Sequence, residues 1–180
     1  MAVIDVDGFP IKFRDEFFFD TNIWLLIFGT VAGYQKKDQR LYSNLLADII
    51  SRDNAIYITS MVISEFANVL LRIDFNQWID ATGNYGKDFK RDYVGSESYI
   101  SMVTSIKDSI NKILSLSVLI RKPDDFNSID INNVFVYFDL VDFNDAYIAE
   151  VSKTNGYKVV TNDTDFKSLK GEIDVVTSRV

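Results

Sequence analysis

The sequence predicts an α/β fold in three layers, with a central, mainly parallel sheet and helices on both of its faces. Three observations point there. Apolar runs of strand length alternate with segments of helical periodicity over 16–73, and again over 138–177. One run, Phe17-Phe18-Phe19 between Glu16 and Asp20, is continuously apolar, as suits a strand buried on both faces. The composition is that of a packed domain: 180 residues, 47% hydrophobic and 25% charged, fit one domain with an insertion and exclude global disorder.

Each element follows from local chemistry. Over 2–14, an Asp7-Gly8 pair between two alternating segments predicts a hairpin, with Pro10 restricting the second arm to a sheet edge. The strand at 16–20 comes next, then a helix from Thr21 to about Val31 that ends near Gly33. A second helix over Asp38–Arg52 has Leu41, Leu45, Leu46, Ile49 and Ile50 on one face, and Asp38 suits its N-cap. Ala55–Thr59 reads as a strand. Ser60 caps a helix to about Ile73, with Val62, Phe66, Val69 and Leu70 on one stripe. Residues 74–96 are polar, with glycines and aromatic residues interspersed, and predict short helices and loops. Glu97 to about Leu116 is helical, so that 74–116 forms a helical cover larger than a crossover needs. Over 117–141, Ser117–Ile120 and Val134–Phe138 fit helix or strand equally well. Asp142–Asn155 is a helix stopped by Gly156. Tyr157–Thr161 and Ile173–Thr177 are strands, with Asn162–Asp165 as the turn between them.

Composition removes whole classes of chemistry. With no Cys there is no disulfide framework, zinc–thiolate site or thiol nucleophile. With no His there is no Ser-His-Asp triad, His-ligated metal or imidazole acid–base catalysis. An enzyme built from this chain rests on carboxylates, hydroxyls, Lys, Tyr or a cofactor. The net charge of −7 argues against a nonspecific nucleic-acid coat, although metal ions can reverse the sign of an acidic site locally. No apolar run reaches membrane-spanning length, and the N-terminus lacks the basic and apolar regions of a signal peptide. The expected location is therefore the cytoplasm, with no membrane partner.

The acids gather at one place on this map. Asp20 ends the first core strand. Glu65 lies in the first turns of the helix after the second strand, and Asp145 in the first turn of the helix over 142–155. Asp163 and Asp165 follow the strand at 157–161. In an open parallel sheet, strand C-termini and the helix N-termini after them share one edge, where ligands bind. Taken singly, each acid has a plainer explanation: Asp20 as a helix cap, Glu65 favoured by the helix dipole, Asp142 and Asp145 as a capping pair, Asp163 and Asp165 as turn residues. Together they predict carboxylates too close to stay ionised without a cation. A hard divalent ion, Mg²⁺ or Mn²⁺, suits an all-carboxylate site, and zinc does not. Such an ion can activate water and neutralise a phosphodiester.

Four stretches resemble the PIN domain family, in order. Phe17-Phe18-Phe19-Asp20-Thr21-Asn22 is similar to its opening strand and first acid, and Thr59-Ser60-Met61-Val62-Ile63-Ser64-Glu65 to its second strand and helical Glu. Asp142-Phe143-Asn144-Asp145-Ala146-Tyr147-Ile148-Ala149 resembles its third acidic motif, and Val159-Val160-Thr161-Asn162-Asp163-Thr164-Asp165-Phe166 its fourth. The resemblance covers about 16–72 and 138–177; between them the chain matches only as generic helices. It implies a PIN-like fold and a Mg²⁺- or Mn²⁺-dependent endoribonuclease. By analogy Asp20, Glu65, Asp145 and Asp163 would hold the metal and carry catalysis. Asp165 would be an additional ligand, and Asn22 and Thr161 would support the shell by hydrogen bonding. Water would attack phosphorus in line, oriented by the acids, with the leaving 3′ oxygen stabilised by the metal.

Many family members of this size are toxins of the VapC type, which implies an antitoxin partner and a homodimer beside the RNA substrate. This chain departs from them in length, through its N-terminal extension and larger middle. Lys36, Lys37, Arg40, Lys87, Lys90 and Arg91 are candidate phosphate contacts, or else ordinary solvated charge. Two alternatives stand beside the nuclease. A catalytically inactive PIN-like module would bind RNA or protein. A haloacid-dehalogenase-like phosphatase would use Asp5, because Ile4-Asp5-Val6-Asp7-Gly8 resembles its nucleophile motif, although Phe9-Pro10 replaces the expected Thr.

Overall fold

The computed structural model describes residues 2–29, 36–83, 85–124, 126–169 and 171–180. Its elements run in the order β1 (Val3–Asp5), β2 (Phe17–Phe19), α1 (Thr21–Phe28), α2 (Lys36–Ser51), β3 (Ile56–Ile58), α3 (Ser60–Thr82), α4 (Glu97–Leu114), β4 (Leu119–Arg121), α5 (Ile131–Phe138), α6 (Phe143–Asn155), β5 (Lys158–Val160) and β6 (Asp174–Thr177). Short helical turns lie at Phe89–Tyr93, Phe126–Ser128 and Asp165–Leu169.

Burial of the phenylalanine triplet organises the sheet. Phe17, Phe18 and Phe19 have 0% exposure, so both faces of β2 are covered. The six strands pair in the order β1-β6-β5-β2-β3-β4, and every pairing is parallel. From β2 the chain steps outward through β3 to β4, then returns across the sheet to β5. Parallel crossovers are right-handed, so the return reverses the face on which helices lie. The packing follows: α1 contacts α2, α3 and α4, while α5 contacts α6. The direction in which successive strands are added therefore reverses between the parallel neighbours β2 and β5, where Phe18 is level with Val159. That is the position at which open α/β sheets form a ligand crevice.

The N-terminal segment differs from expectation. The turn at Asp7-Gly8 forms, with Gly8 at φ +73°, but no hairpin follows. Instead β1 pairs in parallel with β6, Val3 opposite Val175. A hairpin needs only local contacts, and the apolar alternation of 2–6 fits a distant partner equally well. The first helix ends at Phe28, and the predicted stop around Gly33 lies outside the described residues.

The middle also departs from the reading. Helix α3 continues past Ile73 to Thr82, ending at Gly83 with φ +66°. Phe75 and Trp78 on this extension pack on Tyr93, Phe75 also meets Phe89, Tyr93 meets Tyr99 in turn, and the Arg72 guanidinium lies 4.2 Å from the centre of the Phe89 ring. Aromatic burial thus extends a helix through polar sequence. The two ambiguous segments resolve as a strand, β4, and a helix, α5. Among the described residues, no helix is long and apolar enough to cross a membrane.

The triplet yields a direct test. Phe18→Ala should cost about 3–5 kcal/mol in urea unfolding, as deletion of a buried aromatic ring does. Phe13→Ala, at a site 89% exposed, should stay within about 0.5 kcal/mol. Equal costs would refute this placement of the core.

Candidate active site

Asp20 stands directly after β2 and caps α1. Its backbone N–H donates to the Val160 carbonyl (3.0 Å), extending the ladder with β5. Its carboxylate accepts from the Thr21 N–H (2.6 Å) and from the Thr161 hydroxyl (2.8 Å). Thr161, fully buried at the end of β5, accepts in turn from the Asn22 amide (3.0 Å) and the Asp163 N–H (3.0 Å). Asn22 accepts from the Asn162 N–H (3.2 Å). This web joins the ends of β2 and β5. Tyr42, buried on α2, holds it from behind: its hydroxyl donates to the Thr161 carbonyl (2.8 Å) and accepts from the Ser178 N–H (2.9 Å).

Glu65 comes from the second turn of α3, and its carboxylate accepts from the Thr21 hydroxyl (2.9 Å). Asp145 lies in the first turn of α6, where its N–H donates to the capping carboxylate of Asp142 (3.0 Å). Asp163 follows β5 and accepts from the Asp165 N–H (2.9 Å).

These groups feel one another's charge. Asp20 is 5% exposed, and burial pushes its carboxyl up to about 7. Hydrogen bonds from Thr161 and Thr21 oppose that shift, and the charges of Glu65 and Asp163 add to it. Half-buried Asp145 is pushed up to about 8, by burial first and then by the charges of Asp20, Asp142, Asp163 and Glu65. The neighbouring charges that raise the two groups are all carboxylates. The structure thus places Asp20, Glu65, Asp145 and Asp163 in one electrostatic neighbourhood, with Asn22 and Thr161 in its hydrogen bonds. Asp165 is exposed, opens the turn Asp165–Leu169 and is joined to Asp163 through its N–H. Among the described residues, no three acidic side chains converge as a ready-made metal cage. The donor set suits a hard cation, being all oxygen, but it is not preassembled.

A model of the PIN domain matches residues 17–172. The chain belongs to the PIN domain family. Members of this family are generally nucleases that use divalent metal ions. Among solved structures, VapBC2 from Rickettsia felis, bound to a DNA fragment from its promoter, is similar in fold. The likeness has a TM-score of 0.50 and 18% identity, over 90% of this chain and 98% of that one. PAE2754 from Pyrobaculum aerophilum aligns at a TM-score of 0.47 and 14% identity, over 93% of each chain. No curated protein matches the sequence.

PIN membership displaces the phosphatase reading of Asp5. That residue ends an edge strand, is exposed, and accepts the Asp7 N–H (2.9 Å) as a turn carboxylate does. Two contributors escaped the sequence reading. Thr21 links the first two acids through its N–H and hydroxyl, and Asp142 raises Asp145 while capping its helix. Thr21 had a signal, since the residue after a strand-ending acid must face the same edge. Of the basic candidates, Arg91 and Lys87 pair with Asp92 (2.9 and 3.6 Å), while Lys37 and Arg40 line a cavity at the site's edge.

The shifted carboxyls predict a pH response. A carboxyl whose pKa rises on folding binds its proton more tightly when folded. Its stabilising effect is full below the unfolded value and is lost as pH rises through the folded one. The window runs from 3.8 to about 7 for Asp20 and to about 8 for Asp145. With chelator present, the melting temperature should fall between pH 5 and 8.5. Asp145→Asn should raise it at pH 8.5 by roughly 2–4 °C, the shift that about 1 kcal/mol produces in a domain of this size. No gain at pH 8.5 would contradict the coupling.

Proposed function

We propose that this PIN domain is a Mg²⁺- or Mn²⁺-dependent endoribonuclease that hydrolyses RNA phosphodiester bonds, and that it is the toxin of a toxin–antitoxin pair. The observation that carries the reading is the raising of Asp20 and Asp145 by burial and by neighbouring carboxylates, Glu65 and Asp163 acting on both. A protein stabilises such a set cheaply only with protons or a cation. Asp20, Glu65, Asp145 and Asp163 are the proposed ligands. Bound there, a divalent ion supplies Lewis acidity and charge neutralisation at the phosphodiester.

The residues divide the remaining work. Asp20, fixed by Thr161 and Thr21, is the immobile anchor. Glu65 is aimed by the Thr21 hydroxyl, and Asp163 by the Asp165 N–H. Asp145, half-buried in the first turn of α6, would take the proton of an attacking water at its carboxylate oxygen. Because the carboxylates are not preassembled, drawing them together costs rotamer freedom, and modest metal affinity follows.

The toxin reading draws on the fold shared with VapBC2 and on the surface of α5. Phe135, Val136, Phe138 and Leu140 are each more than half exposed. Such an apolar stripe supports a protein partner, either an antitoxin or a second copy.

In an RNA cleavage assay with Mn²⁺, the wild-type chain should cut, and Asp20→Asn and Asp145→Asn should each slow it by about 100-fold or more. Equal rates for all three would remove the mechanism. An absence of saturable Mn²⁺ binding would favour a catalytically inactive binding module instead.

A further inference from the structure

Three side chains outside the acid set form a closed triangle. Asp38 comes from the first turn of α2, Asn162 from the segment after β5 and Arg179 from the segment after β6. Arg179 Nη2 donates to the Asp38 carboxylate (2.8 Å), and Arg179 Nε donates to the Asn162 side-chain oxygen (3.1 Å). The Asn162 amide donates to Asp38 in turn (3.2 Å). The Ser178 hydroxyl adds a bond to the Asn162 oxygen (2.9 Å). Asp38 is 5% exposed. Desolvation offsets most of the attraction in a buried ion pair, so fixed geometry is a better reason for one than net stability. A guanidinium suits that task, because its planar fork bonds two partners in set directions. One corner of the triangle reaches the sheet edge that carries the acids. Asn162 stands between Thr161, whose hydroxyl donates to Asp20 (2.8 Å), and Asp163. Its backbone N–H donates to the Asn22 side-chain oxygen (3.2 Å). Asn162 is thus held by its main chain from the β2 side and by its side chain from α2 and the segment after β6.

We infer that Asp38 and Arg179 are positioning residues: through Asn162 they fix the backbone that carries Asp163, and so set how tightly the acids hold a divalent ion. The inference rests on the proposed ligand set and goes beyond it, since it assigns a role to two residues outside that set. The acids are not preassembled, so every part of the site ordered in advance lowers the cost of gathering them. Partners one step behind a metal ligand commonly change affinity about 10–100-fold. The plainer alternative is that the triangle only joins α2 to the chain after β6. That alternative predicts lost stability with unchanged binding in the folded protein.

The test measures Mn²⁺ binding by the full chain through the electron paramagnetic resonance signal of the free ion. Two variants are compared with wild type: Arg179→Lys, which keeps the charge and loses the fork, and Asn162→Ala, which removes the shared corner. Each should weaken binding about tenfold. In an Asp163→Asn background each should weaken it less than about twofold, because the ligand they position is gone. A second readout needs no metal. In chelator, amide hydrogen exchange at Asp163 and Asp165 should quicken about tenfold or more relative to that at Phe18 in the central strand. Unchanged affinity, unchanged relative exchange at Asp163, losses of equal size in the two backgrounds, or a wild type that binds no Mn²⁺ would overturn the inference. Weakened binding in both variants of a chain whose wild type cuts no RNA would instead sink the nuclease reading and leave the positioning role standing. RNA cleavage with an affinity that neither substitution changes would do the reverse.

Discussion

The carboxylate of Asp20 is held inside the protein with other acids around it, and burial and their charges both push its pKa up. Much of the architecture serves to make that arrangement tolerable. The Thr161 hydroxyl donates to Asp20 and takes hydrogen bonds from Asn22 and Asp163, so one side chain fixes the segment after β2 to the segment after β5. This works only because β5 lies beside β2, and that neighbourhood exists because the chain crosses back over the sheet after β4. Tyr42 then fastens the end of β5 to the segment after β6. The topology, the buried hydroxyl and the raised carboxyls are parts of a single electrostatic problem.

What could be read in advance follows from which interactions are local. Phe17-Phe18-Phe19 announces a doubly covered strand without knowledge of its neighbours, and Gly156 stops α6 through its own backbone preference, at φ +75°. Once strand ends were identified, the common edge of a parallel sheet was enough to bring Asp20, Glu65, Asp145 and Asp163 together. The same argument says less about Asp165. Four residues beyond Thr161, Asp165 is exposed and donates its N–H to Asp163. Asp7-Gly8 is the complementary case. The turn is local and forms, whereas the partner of β1 lies at the other end of the chain, where no short-range pattern reaches. In the middle, the length of α3 is set by rings at 75, 78, 89, 93 and 99 finding one another, which periodicity within any one segment does not encode.

The net charge of −7 and an RNA substrate are compatible once charge is viewed site by site. Lys87 and Arg91 are engaged by Asp92 and Arg179 by Asp38, while Lys37 and Arg40 line the cavity at the ends of β1 and β6. Recognition built from a few oriented groups and a bound cation needs no basic surface, and it leaves the apolar face of α5 for a protein partner. The division assigns chemistry to one sheet edge and assembly to a separate helix.

The most direct measurement of the central claim is anomalous scattering from crystals soaked in Mn²⁺ above pH 8. The account predicts a peak about 2.1 Å from carboxylate oxygens of Asp20 and Asp145, at the oxygen-ligand distance of a small divalent cation, with Glu65 and Asp163 turned toward it. A structure with those four side chains unmoved and no peak among them, or with manganese bound only at Asp5 and Asp7, would contradict it.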